Sequence, residues 1–90
     1  MQLPVIHMNG TSAEELLAGY QKAARAVELA SRALCDASPN GRDYYPAAPQ
    51  ALEVAVQEHY ARLAKLREVA TELDALMEHC SDAVMARKAR

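Results

Sequence analysis

The fold is decided by the stretch Pro39-Asn40-Gly41-Arg42-Asp43-Tyr44-Tyr45-Pro46, which holds two of the four prolines and one of the three glycines in the chain. Proline lacks a backbone N–H and disfavours the helical conformation in the residue before it, so a helix does not continue through this stretch. On both sides, apolar residues recur at helical spacing. The sequence therefore predicts a helix at about 11–38, a bend at 39–48 and a second helix at about 49–87.

The composition of the 90 residues favours a single all-α domain. Alanine and aliphatic residues dominate, and Trp and Phe are absent, which suits helices that pack closely through small side chains. We expect a short N-terminal arm at residues 1–10, followed by a long antiparallel two-helix hairpin. A chain this short buries a modest core, so we also expect the hairpin to oligomerise into a helical bundle.

The charge pattern argues against several classes of partner. The formal net charge is −2, with acidic and basic residues interspersed, which is unlike the basic surface of a protein that binds nucleic-acid polymers. No apolar run reaches the length of a membrane span, and the first residues do not have the pattern of a signal peptide. We therefore expect a cytoplasmic protein with no nucleic-acid polymer and no membrane as partner.

The first helix has more apolar surface than one neighbouring helix covers. Its main apolar face comprises Leu16, Leu17, Tyr20, Ala23, Ala24, Val27, Ala30 and Leu34. A second stripe beside it comprises Ala26, Leu29, Ala33 and Ala37. Because these side chains are mostly small, the second stripe allows another helix to approach closely. Glu28 and Arg32, four residues apart, are expected to form an ion pair.

The second helix contains a heptad seam. Its apolar positions alternate in spacing between four and three residues and comprise Leu52, Val56, His59, Leu63, Leu66, Ala70, Leu73, Met77, Cys80 and Val84. This helix is longer than the first, and we expect the part beyond Asp74 to have no partner in the first helix. The arm, a second subunit or both would then cover that part.

The histidines and cysteines indicate neither catalysis nor a metal site. Cys35 and Cys80 lie far apart in a hairpin, so no intrachain disulfide is expected. His59 lies on the seam and is interpreted as a packed core histidine. No metal-ligand spacing, phosphate loop or paired acid and base is present in the sequence. We expect no enzyme activity, no catalytic residue, no metal and no cofactor.

The start of the first helix is a candidate anion site. Asn9, Thr11 and Ser12 surround a turn and precede a helix, whose first N–H groups and positive dipole end can hold a phosphate. The alternative is simple capping, because Thr11 and Ser12 are each followed three residues later by a glutamate. The sequence leaves both interpretations open.

The bend is a second candidate site. Arg42, Tyr44 and Tyr45 supply a guanidinium that binds phosphate and aromatic rings that stack on bases. The alternative is that the tyrosines close the end of the hairpin core while Arg42 pairs with Asp43. Arg62 lies beside the seam, four residues after Glu58, with which we expect an ion pair.

The arm segment Ile6-His7-Met8-Asn9-Gly10-Thr11-Ser12, the two long helices and the bend from Pro39 to Pro46 resemble small bacteriophage proteins, and in shape the chain is similar to the phage anti-CBASS sponge family. Members of that family are compact helical oligomers that sequester cyclic di- and trinucleotide immune signals in pockets between subunits. The resemblance implies an anti-defence protein of the host bacterial cytosol that binds a cyclic oligonucleotide without turnover.

By chemistry and position, Asn9, Thr11 and Ser12 would then contact phosphates or base edges. Arg62 and Arg42 would bind phosphates or stack on bases, and Tyr44 or Tyr45 would stack on a base. A different class of function stays open. The chain is then a helical adaptor or inhibitor that presents an exposed helix face to a host or phage protein.

Overall fold

The structure is a computed structural model and describes residues 1–89. Helix α1 spans Ala13–Asp36, a short 3₁₀ turn spans Gly41–Asp43, and helix α2 spans Ala51–Lys88. The two long helices pack against each other as a hairpin, and residues 1–89 contain no strand. The prediction of an all-α hairpin is confirmed. No helix in residues 1–89 combines the length and apolar character needed to cross a membrane.

The N-terminus of α1 is fixed by one of its two predicted caps. The Ser12 hydroxyl accepts a hydrogen bond from the backbone N–H of Glu15 at 3.1 Å, which satisfies one of the unpaired N–H groups at the helix start. Glu14 and Glu15 lie in the first turn, where negative charge complements the helix dipole. Ser12, rather than Thr11, is therefore the N-cap.

The bend is built from local hydrogen bonds. The Ser38 hydroxyl donates to the carbonyl oxygen of Cys35 at 2.6 Å and so caps the end of α1. The side-chain oxygen of Asn40 accepts from the backbone N–H of Arg42 at 3.0 Å and begins the 3₁₀ turn. α2 starts at Ala51, two residues later than the predicted start at about 49, so Pro49 lies in the turn before the helix.

The seam predicted on α2 faces α1. His59, Cys80 and Val84 are buried, and of the remaining seam positions only Leu52 is exposed, at 37%. The main apolar face of α1 meets this seam through half-buried side chains such as Leu17, and its first residue, Ala13, is buried. The core is therefore a thin layer between two helices.

The register of the hairpin differs from the prediction. His59 contacts Ser38 just after the end of α1, and Arg87 forms an ion pair with Glu14 in the first turn of α1. α1 therefore accompanies α2 almost to its end, and the expectation that α2 has no partner beyond Asp74 is wrong. The unpaired part of α2 lies at its start, because the bend runs beside the first two turns instead of reversing at once.

The N-terminal arm packs back onto α2 of the same chain. The Nε2–H of His79 donates a hydrogen bond to the carbonyl oxygen of Pro4 at 2.7 Å, and Leu3 and Ile6 are half-buried. Beside His79, the Cys80 thiol is fully buried, whereas the Cys35 thiol is exposed. Both cysteines are free, as the hairpin geometry predicted.

The hairpin is an elongated rod with a large surface. Its extents are 65 × 21 × 20 Å, and its radius of gyration is 19.3 Å, against about 12 Å for a compact chain of this length. The second apolar stripe of α1 is uncovered: Ala26, Ala33 and Ala37 are exposed, and Leu29 is 59% exposed. The surplus apolar surface predicted from the sequence is therefore present on the hairpin.

We expect Leu66→Ala to lower the free energy of unfolding by about 1–3 kcal/mol, since Leu66 is a half-buried seam residue at the middle of the hairpin. Met85, at 63% exposure, provides the matched control, and Met85→Ala should change stability by less than about 0.5 kcal/mol. Urea unfolding followed by circular dichroism measures both. Equal effects of the two substitutions would show that the seam is misplaced.

The two thiols should differ in reactivity because Cys35 is exposed and Cys80 is buried. Each thiol is measured alone, Cys80 in a Cys35→Ser variant and Cys35 in a Cys80→Ala variant. Cys80 should react with a disulfide reagent on the order of 100-fold more slowly than Cys35, because the buried thiol reacts only after local opening of the structure. Stopped-flow absorbance measures both rates. Similar rates would mean that the arm does not hold α2 as described.

Candidate functional site

The candidate site is a groove between the bend and the first three turns of α2. It has a volume of about 800 Å³. One wall is formed by the end of α1 and the bend, including Leu34, Pro39 and Tyr44, and the other by α2. The groove exists because the bend runs alongside the start of α2 before the chain enters that helix. Its volume lies within the range of about 300–1,000 Å³ that is typical of small-molecule sites.

The groove combines a small apolar floor with a few polar groups. Five alanines contribute small apolar side chains to its lining. Its polar side chains are Tyr44, Gln50, Glu58, His59 and Arg62. The helical spacing explains the α2 wall: residues 51, 55, 58 and 62 recur every three or four positions and share one face. This arrangement offers an aromatic ring, an amide, a carboxylate and a guanidinium to one ligand.

Arg62 is available to a ligand. Among residues 1–89 the ion pairs are Glu28–Arg32, as the sequence predicted, and Glu14–Arg87. The predicted pair between Glu58 and Arg62 is therefore not formed, although both line the groove. The Arg62 side chain is exposed at the edge of the groove, where a guanidinium can donate two parallel hydrogen bonds to a phosphate or carboxylate.

His59 is a buried residue at the interface between α2 and the end of α1. It is 4% exposed, and its Nε2 lies 3.1 Å from the hydroxyl oxygen of Ser38. With the Ser38 hydroxyl donating to the Cys35 carbonyl, the tautomer that satisfies both contacts carries its proton on Nε2 and donates to Ser38. A nitrogen that donates to the serine does not act as its base. The interpretation of His59 as a packed core histidine is confirmed.

The three predicted residues of the bend have different environments. Tyr44 is half-buried and lines the groove, but Tyr45 is 82% exposed, and Arg42 is exposed outside the groove lining. The alternative ion pair between Arg42 and Asp43 is absent from residues 1–89. Tyr44 therefore partly closes the end of the hairpin core, as the alternative interpretation of the bend predicts, while Tyr45 does not.

The N-terminal cluster lies at the opposite end of the molecule. Asn9 and Thr11 are exposed, and the Ser12 hydroxyl is engaged as the helix cap. The 24 residues of α1 separate this cluster from the bend by about 36 Å, so one chain does not bring the two predicted clusters together. The neighbouring carboxylates of the first turn, Glu14 and Glu15, also weaken the attraction of this helix start for an anion.

The sequence did not identify Glu58 and His59 as groove residues. The helical spacing indicates that they belong there, since residues 55, 58 and 59 lie on the same face of α2 as Arg62. What the sequence does not give is the path of the bend, which decides whether that face is covered by α1 or left open. Within residues 1–89, no cluster of three or more His, Cys, Asp or Glu side chains has the geometry of a metal site.

We expect Ser38→Ala to lower the free energy of unfolding by about 1–3 kcal/mol, because it leaves the buried Nε2–H of His59 without an acceptor. Thr71→Ala is the matched control. The Thr71 hydroxyl donates only to the Arg67 carbonyl of its own helix and is exposed, so its removal should be close to neutral. Urea unfolding measures the stability of both variants. An unchanged free energy of unfolding in Ser38→Ala would show that the hydrogen bond between Ser38 and His59 does not stabilise the contact between the bend and α2.

No protein family, curated protein or solved structure matches this chain. Function is therefore inferred from the groove and from the exposed faces of the hairpin. The groove has the volume of a small-molecule site and offers a stacking surface, a free guanidinium and no nucleophile paired with a base among its lining side chains. The Tyr44 ring and the Arg62 guanidinium are groups that can contact an aromatic anion, whereas the Glu58 carboxylate in the same lining opposes one.

Proposed function

We propose that this chain is a homo-oligomeric phage anti-defence protein that binds cyclic di- or trinucleotide immune signals and sequesters them without turnover in the cytoplasm of the bacterial host. The observation that carries the proposal is the groove, in which Tyr44 and the unpaired Arg62 line one cavity of about 800 Å³. The class of ligand and the phage setting are taken from the resemblance described for the sequence.

The groups in the groove match the chemistry of a cyclic oligonucleotide. Each base has a flat face that stacks on an aromatic ring, and stacking of this kind contributes about 1–3 kcal/mol per base. Each phosphate is an anion that a guanidinium binds through two hydrogen bonds, as the free Arg62 allows. The Gln50 amide offers a donor and an acceptor to a base edge.

The same groups favour binding over hydrolysis. Cleavage of a phosphodiester requires an activated nucleophile, usually one paired with a general base or a metal ion. The Ser38 hydroxyl, which hydrogen-bonds to His59, donates to the Cys35 carbonyl and accepts from Nε2–H of His59, so this contact does not activate it. Binding without turnover is therefore the activity that these side chains support.

Self-association is the second part of the proposal. The accessible surface of the chain is 6982 Å², whereas a compact monomer of 9.8 kDa exposes about 5,200 Å². Only four residues of the described chain are buried: Ala13, His59, Cys80 and Val84. A hairpin with so thin a core gains most from covering the apolar side of α1 with another subunit.

An adaptor function is the alternative, and one observation favours it. Large apolar side chains are exposed along α2, including Tyr60 at 65%, Val69 at 44% and Met85 at 63%. An exposed helix with such residues is a common docking surface for another protein. On this alternative the chain co-purifies with a protein partner and binds no cyclic nucleotide.

The proposal is tested by titration calorimetry against a panel of cyclic di- and trinucleotides. We expect Arg62→Ala and Tyr44→Ala each to weaken binding by at least about tenfold, through loss of a phosphate contact and a stacking surface. Lys65→Ala is the control, because Lys65 is an exposed cation on the same helix that does not line the groove. Ligand recovered intact after dissociation supports sequestration.

Absence of binding across the panel contradicts the proposal, as does recovery of a hydrolysed ligand. Equal losses in Lys65→Ala and Arg62→Ala would locate the binding surface outside the groove.

A further inference from the structure

The exposed side of α1 contains a seam of its own. Five small residues of α1 and the Ala37 C-cap that follows it recur at alternating spacings of four and three: Gly19, Ala23, Ala26, Ala30, Ala33 and Ala37. Ala23 is half-buried and the others are exposed, so this small-residue seam lies beside the face that packs on α2. Alternation of four and three is the spacing with which two helices pack along a common line.

Gly19 shows that the seam is suited to close approach. Glycine inside a helix costs about 1 kcal/mol relative to alanine, and a Cβ added at Gly19 would meet nothing within 4 Å in this chain. No contact within the described chain therefore requires a glycine there. Small residues along the whole line let a neighbouring helix pack at the short end of the usual distance of about 8–10 Å.

The positions immediately flanking this seam are Lys22, Leu29 and Asp36, spaced seven residues apart. All three are exposed, and Leu29 exposes 59% of its surface. On the other side of the seam lie Tyr20, Val27 and Leu34, which are half-buried in the hairpin. The free flank thus has a cation at one end, an anion at the other and a leucine at its centre.

We propose that two copies of the chain associate through this seam, with the two α1 helices antiparallel. The spacing of the six residues reads the same in both directions, so antiparallel pairing places a small residue opposite every small residue. Gly19 lies opposite Ala37 of the partner subunit, Ala23 opposite Ala33 of the partner subunit, and Ala26 opposite Ala30 of the partner subunit.

The charges on the flank select this direction. Antiparallel pairing places Lys22 beside Asp36 of the partner subunit, once on each side of the two-fold axis. It also places Leu29 beside Leu29 of the partner subunit, at the centre, where both become covered. Parallel pairing would instead set Lys22 against Val27 of the partner subunit and offer it no carboxylate.

The surface area of the chain is consistent with such a dimer. The chain exposes about 1,800 Å² more than a compact monomer of its mass. A stable dimer of standard size covers about 800 Å² of each partner. This surplus is spread over the whole rod, and the seam from Gly19 to Ala37 extends about 27 Å along it.

The dimer also brings together the two halves of the predicted site. When Gly19 of one subunit lies level with Ala37 of the other, the start of α1 continues past that point to the level of the bend. Asn9, Thr11 and Ser12 of one subunit then lie near the bend of the other, which contains Arg42 and Tyr44. Two such composite sites form per dimer, and this consequence rests on the proposed function.

The interface is tested by sedimentation velocity and light scattering on the full chain. Wild type should be dimeric or a multiple of the dimer, and Ala30→Glu should shift the equilibrium to monomer by at least about 100-fold, because it buries a charge at the centre of the seam. Ala61→Glu is the matched control: Ala61 is also an exposed helical alanine but lies on the outer face of α2. Circular dichroism confirms that both variants are folded.

A charge exchange tests the direction of pairing. Lys22→Glu and Asp36→Lys alone each place like charges together and should each weaken self-association by about tenfold or more. An equimolar mixture of the two variants should restore association, because the mixed dimer has an opposite charge at both contacts. A monomeric wild type, or no recovery in the mixture, overturns the antiparallel dimer.

Ligand titration of the same samples separates the two proposals. If the dimer meets these expectations but binds no cyclic nucleotide, the proposed ligand is refuted and the proposed interface is retained. If a wild-type monomer binds the ligand, the proposed interface is refuted and the proposed ligand is retained.

Discussion

The register between α1 and α2 is the constraint on which the rest of the structure depends. The buried seam residues of α2 pack against α1, the hydrogen bond between His59 and Ser38 lies at one end of this contact, and the exposed ion pair between Arg87 and Glu14 marks the other end. Because α1 lies level with the later part of α2, the first turns of α2 are left beside the bend. The groove that contains Tyr44 and Arg62 is a direct result of that offset.

The hairpin itself could be predicted from the sequence because its signals are local. The prolines at the bend, the cap at Ser12 and the spacing of the seam each act within a few residues, and the structure confirms them. The register could not be predicted in the same way. It depends on how much of α2 the bend accompanies, and that path is set by hydrogen bonds of Ser38 and Asn40, which periodicity does not reveal.

The candidate site was predicted only in part for the same reason. Tyr44 and Arg62 do line one groove, but Arg42 and Tyr45 lie outside it, and Asn9 is at the far end of the rod. The pair expected between Glu58 and Arg62 has ideal spacing on the helix and is nevertheless absent from residues 1–89. Helical spacing makes such a pair available, but exposed pairs gain little free energy, so spacing alone does not determine whether they form.

The attachment of the arm has a consequence for how freely its sequence can change. His79 donates its hydrogen bond to the main-chain carbonyl of Pro4, not to a side chain. Every amino acid supplies that carbonyl, so substitutions at position 4 that preserve the extended backbone keep the acceptor in place. Position 79 has no such freedom, because it needs a side chain with a donor at that distance. Substitution should therefore be tolerated at position 4 and restricted at position 79.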